Sequence, residues 1–276
     1  MILYKYASFS SARSIIESNS IGFSCLEDLN DPFECTSFGF LKNSSTVPHR
    51  TVYEAYKDRF SRNYALLSLS KNPLNSLMWA HYGNTFQGIV VGIDVDKAGF
   101  TSPETSVIPA QFGGVEYIND KKTSLGYIPD ADELMNVGGE SMRFEPKDSN
   151  LVKRAFLYKS SEWNYEEEIR VVKDISSNPH SYHYGEGPWK NESGHWNKIM
   201  IEGKGRPLFC YKLPKNSIVE VILGPQVYRN VVRNNILSCD EFHKLLNHWK
   251  KRFRVSIAEA DVLSWKLKSK PYEFSK

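Results

Sequence analysis

Residues 163–172 read Trp163-Asn164-Tyr165-Glu166-Glu167-Glu168-Ile169-Arg170-Val171-Val172. Three acidic residues run directly into a β-branched stretch, and the reading of that junction decides the fold. Branching at Cβ stiffens the side chain and suits a pleated surface, so the segment reads as a strand. Alternate side chains of a strand point to opposite faces. Tyr165, Glu167, Ile169 and Val171 then share one face, half apolar and suited to a core. Glu166, Glu168, Arg170 and Val172 share the other, with two carboxylates beside a guanidinium. Neighbouring acids raise each other's pKa, while an arginine lowers both. Such a row is costly to bury and useful in a cleft. The plainer alternative is an exposed edge strand with a Glu168–Arg170 ion pair worth about 0–1 kcal/mol.

Working outward, residues 2–6 alternate loosely as a strand. Ser10 and Ser11 are candidate caps for a helix to about Asn19, and "SIGFS" is a second short strand. Asn30-Asp31-Pro32 is turn chemistry within a loop. A helix is expected over 51–63, a strand in "YALLSLSK", a short helix over 73–82 and a clear strand in "GIVVGIDVD". "GGVEYI" reads as a strand, "DADELMNVGG" as a helix with a glycine stop, and Asp148 or Ser149 as the cap of a helix to about Tyr158. Residues 174–206, rich in Gly, Asn, Ser, His and Pro, read as a loop-rich insertion or flap. "SIVEVILG" is a strand. A C-terminal portion, 227–276, holds an amphipathic helix over 240–252 and a final strand in "RVSIAEADV". The elements lack a regular βαβ rhythm. The expected fold is therefore one α+β domain over 1–276, with a mixed, mainly antiparallel sheet and flanking helices.

The chain has 276 residues, 41% hydrophobic and 24% charged, an ordinary globular composition. Lys+Arg 35 against Asp+Glu 32 gives +3, which neither demands nor excludes a nucleic-acid partner. No apolar run reaches the length of a membrane span and no signal peptide is evident, so a cytoplasmic location without membrane contact is expected. The four cysteines form no CxxC pair and read as reduced thiols. His180, His183 and His195 lack nearby ligand-spaced partners, so no metal site is assigned to them.

Several segments in order carry a resemblance: "LYKY" (3–6), "LNDPFE" (29–34), "LSLSK" (67–71), "MWAHYGNTFQGIVVGID" (78–94), "YKSSEWNYEEEIRVV" (158–172) and "VEVILG" (219–224). Together they are similar to the bacterial family catalogued as DUF2971. In that pattern the retained positions of the acidic segment are Trp163, Glu166, Glu168 and Arg170. A strand, the helix "SARSIIES" and the short strand "IGFS" also resemble, more distantly, the opening of the ADP-ribosyltransferase fold, including its DarT-like and PARP-like branches. No H-G-x motif is present. The resemblance implies an ADP-ribosyltransferase-like sheet, NAD as the consumed substrate, and a role as a bacterial toxin or phage-defence effector. A macromolecular target, nucleic acid being one class, and an inhibitor or antitoxin protein would be partners. Lys5 or Tyr6 would stand where that fold carries His or Arg.

Breaking the nicotinamide–ribose bond develops positive charge on the sugar, as in glycoside cleavage. One carboxylate can orient the ribose and stabilise that charge, a role assigned to Glu168. A second, Glu166, can deprotonate the nucleophile. Arg170 would hold the pair ionised or contact pyrophosphate. Trp79 and Tyr82 are candidates for stacking on a base, with core packing as the alternative. His81, between them in sequence, is a further site candidate, with a structural histidine as the alternative, and Asn30 and Asp31 would line the site, with a tight turn as the alternative. Two other classes remain. A nuclease would use Asp31, Glu34, Glu166 and Glu168 as Mg²⁺ ligands. A non-catalytic recognition module would bind a ligand, or nucleic acid through Lys244, Lys250, Lys251, Arg252, Arg254, Lys266, Lys268 and Lys270.

Overall fold

The computed structural model describes residues 1–34, 60, 62–120, 155–203 and 205–273. The chain opens with β1 (Ile2–Ala7), α1 (Phe9–Ser18) and β2 (Ser20–Phe23). Ser8, not the expected Ser10 or Ser11, caps α1: its hydroxyl oxygen accepts from the Ser11 amide at 3.2 Å, filling an orphan donor of the first turn. Asn19 ends the helix in a left-handed conformation. Phe9, Ala12 and Ile16 turn inward at helical spacing.

Then follow β3 (Tyr64–Ser70), α2 (Ser76–His81), β4 (Ile89–Asp94), β5 (Glu116–Ile118), β6 (Tyr158–Ser160) and β7 (Glu168–Asp174). Asn75 caps α2 by accepting from the Leu77 and Met78 amides. Beyond β7 lie β8 (Gly187–Asn191), β9 (Gly194–Ile201), β10 (Arg206–Lys212) and β11 (Ile218–Leu223). The chain then forms α3 (Val227–Arg233), α4 (Cys239–Lys250), β12 (Arg254–Ala260) and β13 (Leu267–Pro271). A capping box between Ser238 and Glu241 starts α4, which buries Phe242, Leu246 and Trp249.

Seven strands form one sheet in the order β13-β12-β11-β4-β1-β3-β7, and four form a second in the order β2-β10-β9-β8. Among the described strands, parallel pairing occurs at β11–β12, across the α3–α4 crossover, and at β5–β6. The fold is thus α+β with a mainly antiparallel sheet, as expected from the sequence. The two sheets share a core: Val91, Ile93, Ile169 and Val171 of the large sheet pack in one cluster with Phe23, Trp196, Phe209 and Tyr211 of the small one.

Two expectations are refined. Residues 174–206 are loop-rich as expected but also hold the β8–β9 hairpin. Along β9, Trp196 and Lys198 face inward while His195 and Asn197 face out, and that polar outer face masks the apolar period. The strand over 254–260 is followed by another, β13, an edge strand whose lysines conceal its pattern. The expected helix over 130–139 lies outside the described residues, as does most of those over 51–63 and 148–158. Tyr158 itself begins β6.

Candidate functional site

The site forms where the large sheet comes apart. β1 meets β4 at six registered pairs and β3 meets β7 at seven. β1 and β3 meet at a single pair, Tyr4↔Ser70. Strand edges that part leave backbone groups needing partners. Lys5 supplies one by donating from its amine to the Ser68 carbonyl at 3.1 Å. A cavity of 140 Å³ occupies this seam, lined by Lys5, Tyr82, Glu166 and Glu168 among others. A second cavity of 420 Å³ adjoins it, lined by Asp31, Phe33, Tyr158 and Trp163, and both share Asn30, Glu34 and Lys159.

The acidic run reaches this seam differently from expectation. Ser161–Glu166 form a 3-10 turn, Glu167 adopts a left-handed φ of 46°, and the strand starts at Glu168. A fully extended run would have driven the Glu167 carboxylate into the core. The left-handed residue instead turns it out to solvent. Glu166 is therefore not on the strand. Its carbonyl accepts from the Ser70 hydroxyl at 2.7 Å, and the Tyr165 carbonyl accepts from Asn75 at 2.8 Å. These bonds aim the Glu166 side chain at the same place as Glu168. The parity expected within the strand is observed: Ile169 and Val171 join the main core, while Glu168, Arg170 and Val172 face the other way.

Lys159 of β6, a residue the sequence reading passed over, stands at the centre. Its ammonium lies 2.6 Å from Glu166, 3.3 Å from Glu34 and 3.5 Å from Glu168, with the Trp163 ring 4.8 Å away. Arg170 grips Glu168 through Nε at 2.9 Å and Nη2 at 3.0 Å, pairs with Glu34, and donates to the Phe156 carbonyl at 2.6 Å. Glu34, Lys159, Glu166, Glu168 and Arg170 are all buried. Tyr82 donates its hydroxyl to the other Glu166 oxygen at 2.6 Å and accepts from Asn30 at 3.1 Å. Tyr117 accepts the Glu168 amide at 2.9 Å.

The surroundings shift the two central carboxyls in opposite directions. Burial alone would raise Glu168, but Arg170 and then Lys159 outweigh it and hold the carboxyl down at about 2. For Glu166, burial together with the nearby Glu168 charge outweighs Lys159, and its pKa is raised. Burial would push Lys159 down, yet Glu168, Glu34 and Glu166 keep it above the ordinary lysine range. Lys5 has no such compensation: burial lowers it by more than Glu168 and Glu166 raise it.

Of the residues expected at the site, Lys5, Asn30, Asp31, Tyr82, Glu166 and Glu168 line these cavities. One Asp31 oxygen accepts from the Phe33 amide at 2.9 Å, and the other is buried without a hydrogen-bond partner. Arg170 lies beneath the cavities with its guanidinium spent on Glu168, Glu34 and a carbonyl. It can hold the carboxylates but not reach a pyrophosphate. Trp79 is fully buried core, its indole donating to the Pro73 carbonyl at 3.0 Å, so stacking on a ligand is ruled out. Tyr6 lines the seam cavity, but its hydroxyl donates to the Asn72 carbonyl at 2.7 Å and its ring packs edge-on against Trp79. His81 is exposed beside Tyr82 and Tyr165, away from the cavity walls. Lys159 was missed because a lysine between Tyr158 and Ser160 shows no periodicity, and only the carboxylates reveal its purpose.

The Mg²⁺ arrangement meets an obstacle, since the point where Glu34, Glu166 and Glu168 converge holds an ammonium. Among the described residues no three His, Cys, Asp or Glu side chains group as metal ligands. The basic C-terminal strip is partly neutralised: Arg254 pairs with Glu220, Lys268 with Asp261 and Lys270 with Glu259. Among the described residues no helix is long and apolar enough to cross a membrane.

Fold and site together define an α+β protein that gathers three carboxylates, a lysine and an arginine beneath a split in its main sheet. The model of the DUF2971 family, described as proteins of unknown function, matches residues 78–171 of the chain. That stretch carries Tyr82, Lys159, Trp163, Glu166, Glu168 and Arg170, so the resemblance noted in the sequence holds over most of the site. No curated protein and no solved structure gave a match.

Proposed function

We propose that the chain is an ADP-ribosyltransferase-like enzyme that cleaves the nicotinamide–ribose bond of NAD and transfers the sugar to a nucleophile. The observation that carries this reading is a pair of carboxyls, Glu166 and Glu168, that line one cavity in unlike surroundings, the first 2.6 Å and the second 3.5 Å from the Lys159 ammonium. Environments that push two acids apart assign their roles. Glu168, held ionised, would lie against the ribose and stabilise the positive charge that grows as the C1′–N bond breaks. Nicotinamide would leave with the bonding electron pair. Glu166, whose proton affinity is raised, would take the proton of the incoming hydroxyl or water. Lys159 and Arg170 act through the carboxylates as positioning residues. The seam cavity suits the ribose, and the adjoining cavity, with Trp163, Tyr158 and Phe33, offers aromatic surface for a base. An enzyme of this kind fits a toxin or phage-defence effector that consumes NAD or modifies a macromolecule.

The test is NAD⁺ loss followed by chromatography, with and without lysate, DNA or RNA. Wild type is expected to consume NAD⁺, and Glu168→Gln and Glu166→Gln to lose about 10²-fold or more. Glu167→Gln, outside the cavity, is expected to match wild type, and circular dichroism confirms that each variant is folded. No NAD⁺ loss under any condition would overturn the reading and direct attention to Mg²⁺-dependent cleavage of nucleic acid.

A further inference from the structure

We propose that Lys5 is an amine nucleophile that forms an imine with the aldehyde of a small hydroxyaldehyde entering the seam cavity. This goes beyond the NAD reading and does not depend on it. Among the described residues three cations surround the cluster, and two are saturated by carboxylates: Lys159 by Glu34, Glu166 and Glu168, and Arg170 by Glu34 and Glu168. Lys5 makes one hydrogen bond, to the Ser68 carbonyl, and lines the 140 Å³ cavity. A lysine serving only as a countercharge would be drawn into the carboxylate set. This one stands apart, in the open gap between β1 and β3.

Burial lowers the proton affinity of Lys5, so more of the amine is unprotonated near neutrality than for a surface lysine. Desolvated lysines are the usual imine-forming nucleophiles for that reason. The groups that face the amine across the cavity suit the rest of the step. Glu166, with its raised pKa, can exchange protons, and Tyr82 anchors its other oxygen. Asn30, Tyr82 and Ser68 offer polar partners to the hydroxyls of a short sugar. The cavity size limits the ligand to a few carbons.

The chemistry balances without an added reactant. The Lys5 nitrogen lone pair forms the N–C bond while the carbonyl π pair moves to oxygen. Glu166 relays the proton from nitrogen to that oxygen, giving the carbinolamine. Glu166 then takes the remaining N–H proton as the C=N bond forms and passes it to the hydroxyl, which leaves as water with the C–O bonding pair. Amine plus aldehyde gives imine plus water, and hydrolysis reverses it.

The experiment treats the full chain with D-glyceraldehyde, then with sodium borohydride, which reduces an imine to a stable secondary amine, and maps the adduct by peptide mass. Occupancy at Lys5 is expected to exceed that at the exposed Lys97 and Lys212 by about tenfold or more. Lys5→Met is expected to leave only the surface-lysine level. Modification of Lys5 no greater than that of Lys97 and Lys212 would overturn the proposal and leave Lys5 as a plug for the Ser68 carbonyl. The wild-type map decides this even if the variant fails to fold. Because no NAD is used, a negative result here leaves the NAD⁺ assay standing, and the reverse also holds.

Discussion

Lys159 ties together side chains from positions far apart in the sequence, and its removal would strand buried charge. Lys159→Met leaves Glu166 and Glu34 without their ammonium, and breaking one side of a buried pair costs about 3–5 kcal/mol. Urea unfolding is expected to show that loss. Adding Glu166→Gln to Lys159→Met should restore part of it, since residues in one network are not additive. Glu168 supplies a separate, pH-dependent signature. Its pKa falls from an unfolded value of 4.5 to about 2, so the contribution is full above pH 4.5 and is lost as pH falls through the folded value. That difference corresponds to on the order of 3 kcal/mol. Unfolding free energies at pH 5 and pH 2.5 should differ less in Glu168→Gln than in wild type. At this scale the sequence revealed the carboxylates and Arg170, because acids beside an arginine in a β-branched run are conspicuous. It did not reveal Lys159, because a lone lysine announces nothing until its partners are brought to it.

At the scale of the element, the turn between the 3-10 segment and β7 sets the geometry of the acids. Glu167 sits left-handed there with its carboxylate accepting from Asn72 at 3.2 Å. Glu167→Gly is expected to leave stability within about 0.5 kcal/mol, whereas β-branched Glu167→Val should cost about 1–3 kcal/mol by thermal unfolding. A close approach fixes the other flank. The Gly113 carbonyl accepts the Arg170 amide at 2.8 Å, and a Cβ at Gly113 would collide with the Arg170 carbonyl oxygen. Gly113→Ala is therefore expected to destabilise by about 1–3 kcal/mol and to lower NAD⁺ turnover through displacement of Arg170. Long apolar strands such as β3, β4 and β11 were legible because burial on both faces leaves continuous Val, Ile and Leu. The β8–β9 hairpin was not, because Gly, Pro and Asn at its ends and polar residues on its outer face look like loop. The acidic turn was misjudged by one or two residues, since strand propensity cannot foresee a left-handed glutamate.

Across the whole molecule, Lys173 of β7 joins parts that no local pattern connects. It is fully buried, donates to the Thr105 and Ser193 carbonyls at 2.8 and 3.2 Å, and lies 5.0 Å from the Tyr211 ring of the small sheet. Burial lowers its pKa from 10.5 to about 7. Between those values the unfolded chain binds more protons than the folded one, so stability rises with pH through this window. Wild type is expected to be more stable at pH 9.5 than at pH 7, and Lys173→Met should flatten that rise in denaturant titrations. The seam between β1 and β3 bears on the molecule as a mechanical object. Five strands lie on one side of it and two on the other, joined through one registered pair. The large sheet thus has a built-in weak joint, and local opening concentrates where backbone pairing is sparse. A molecule lodged in the seam becomes a strut between the two panels, so amide protons along both facing edges would exchange more slowly whenever it is occupied.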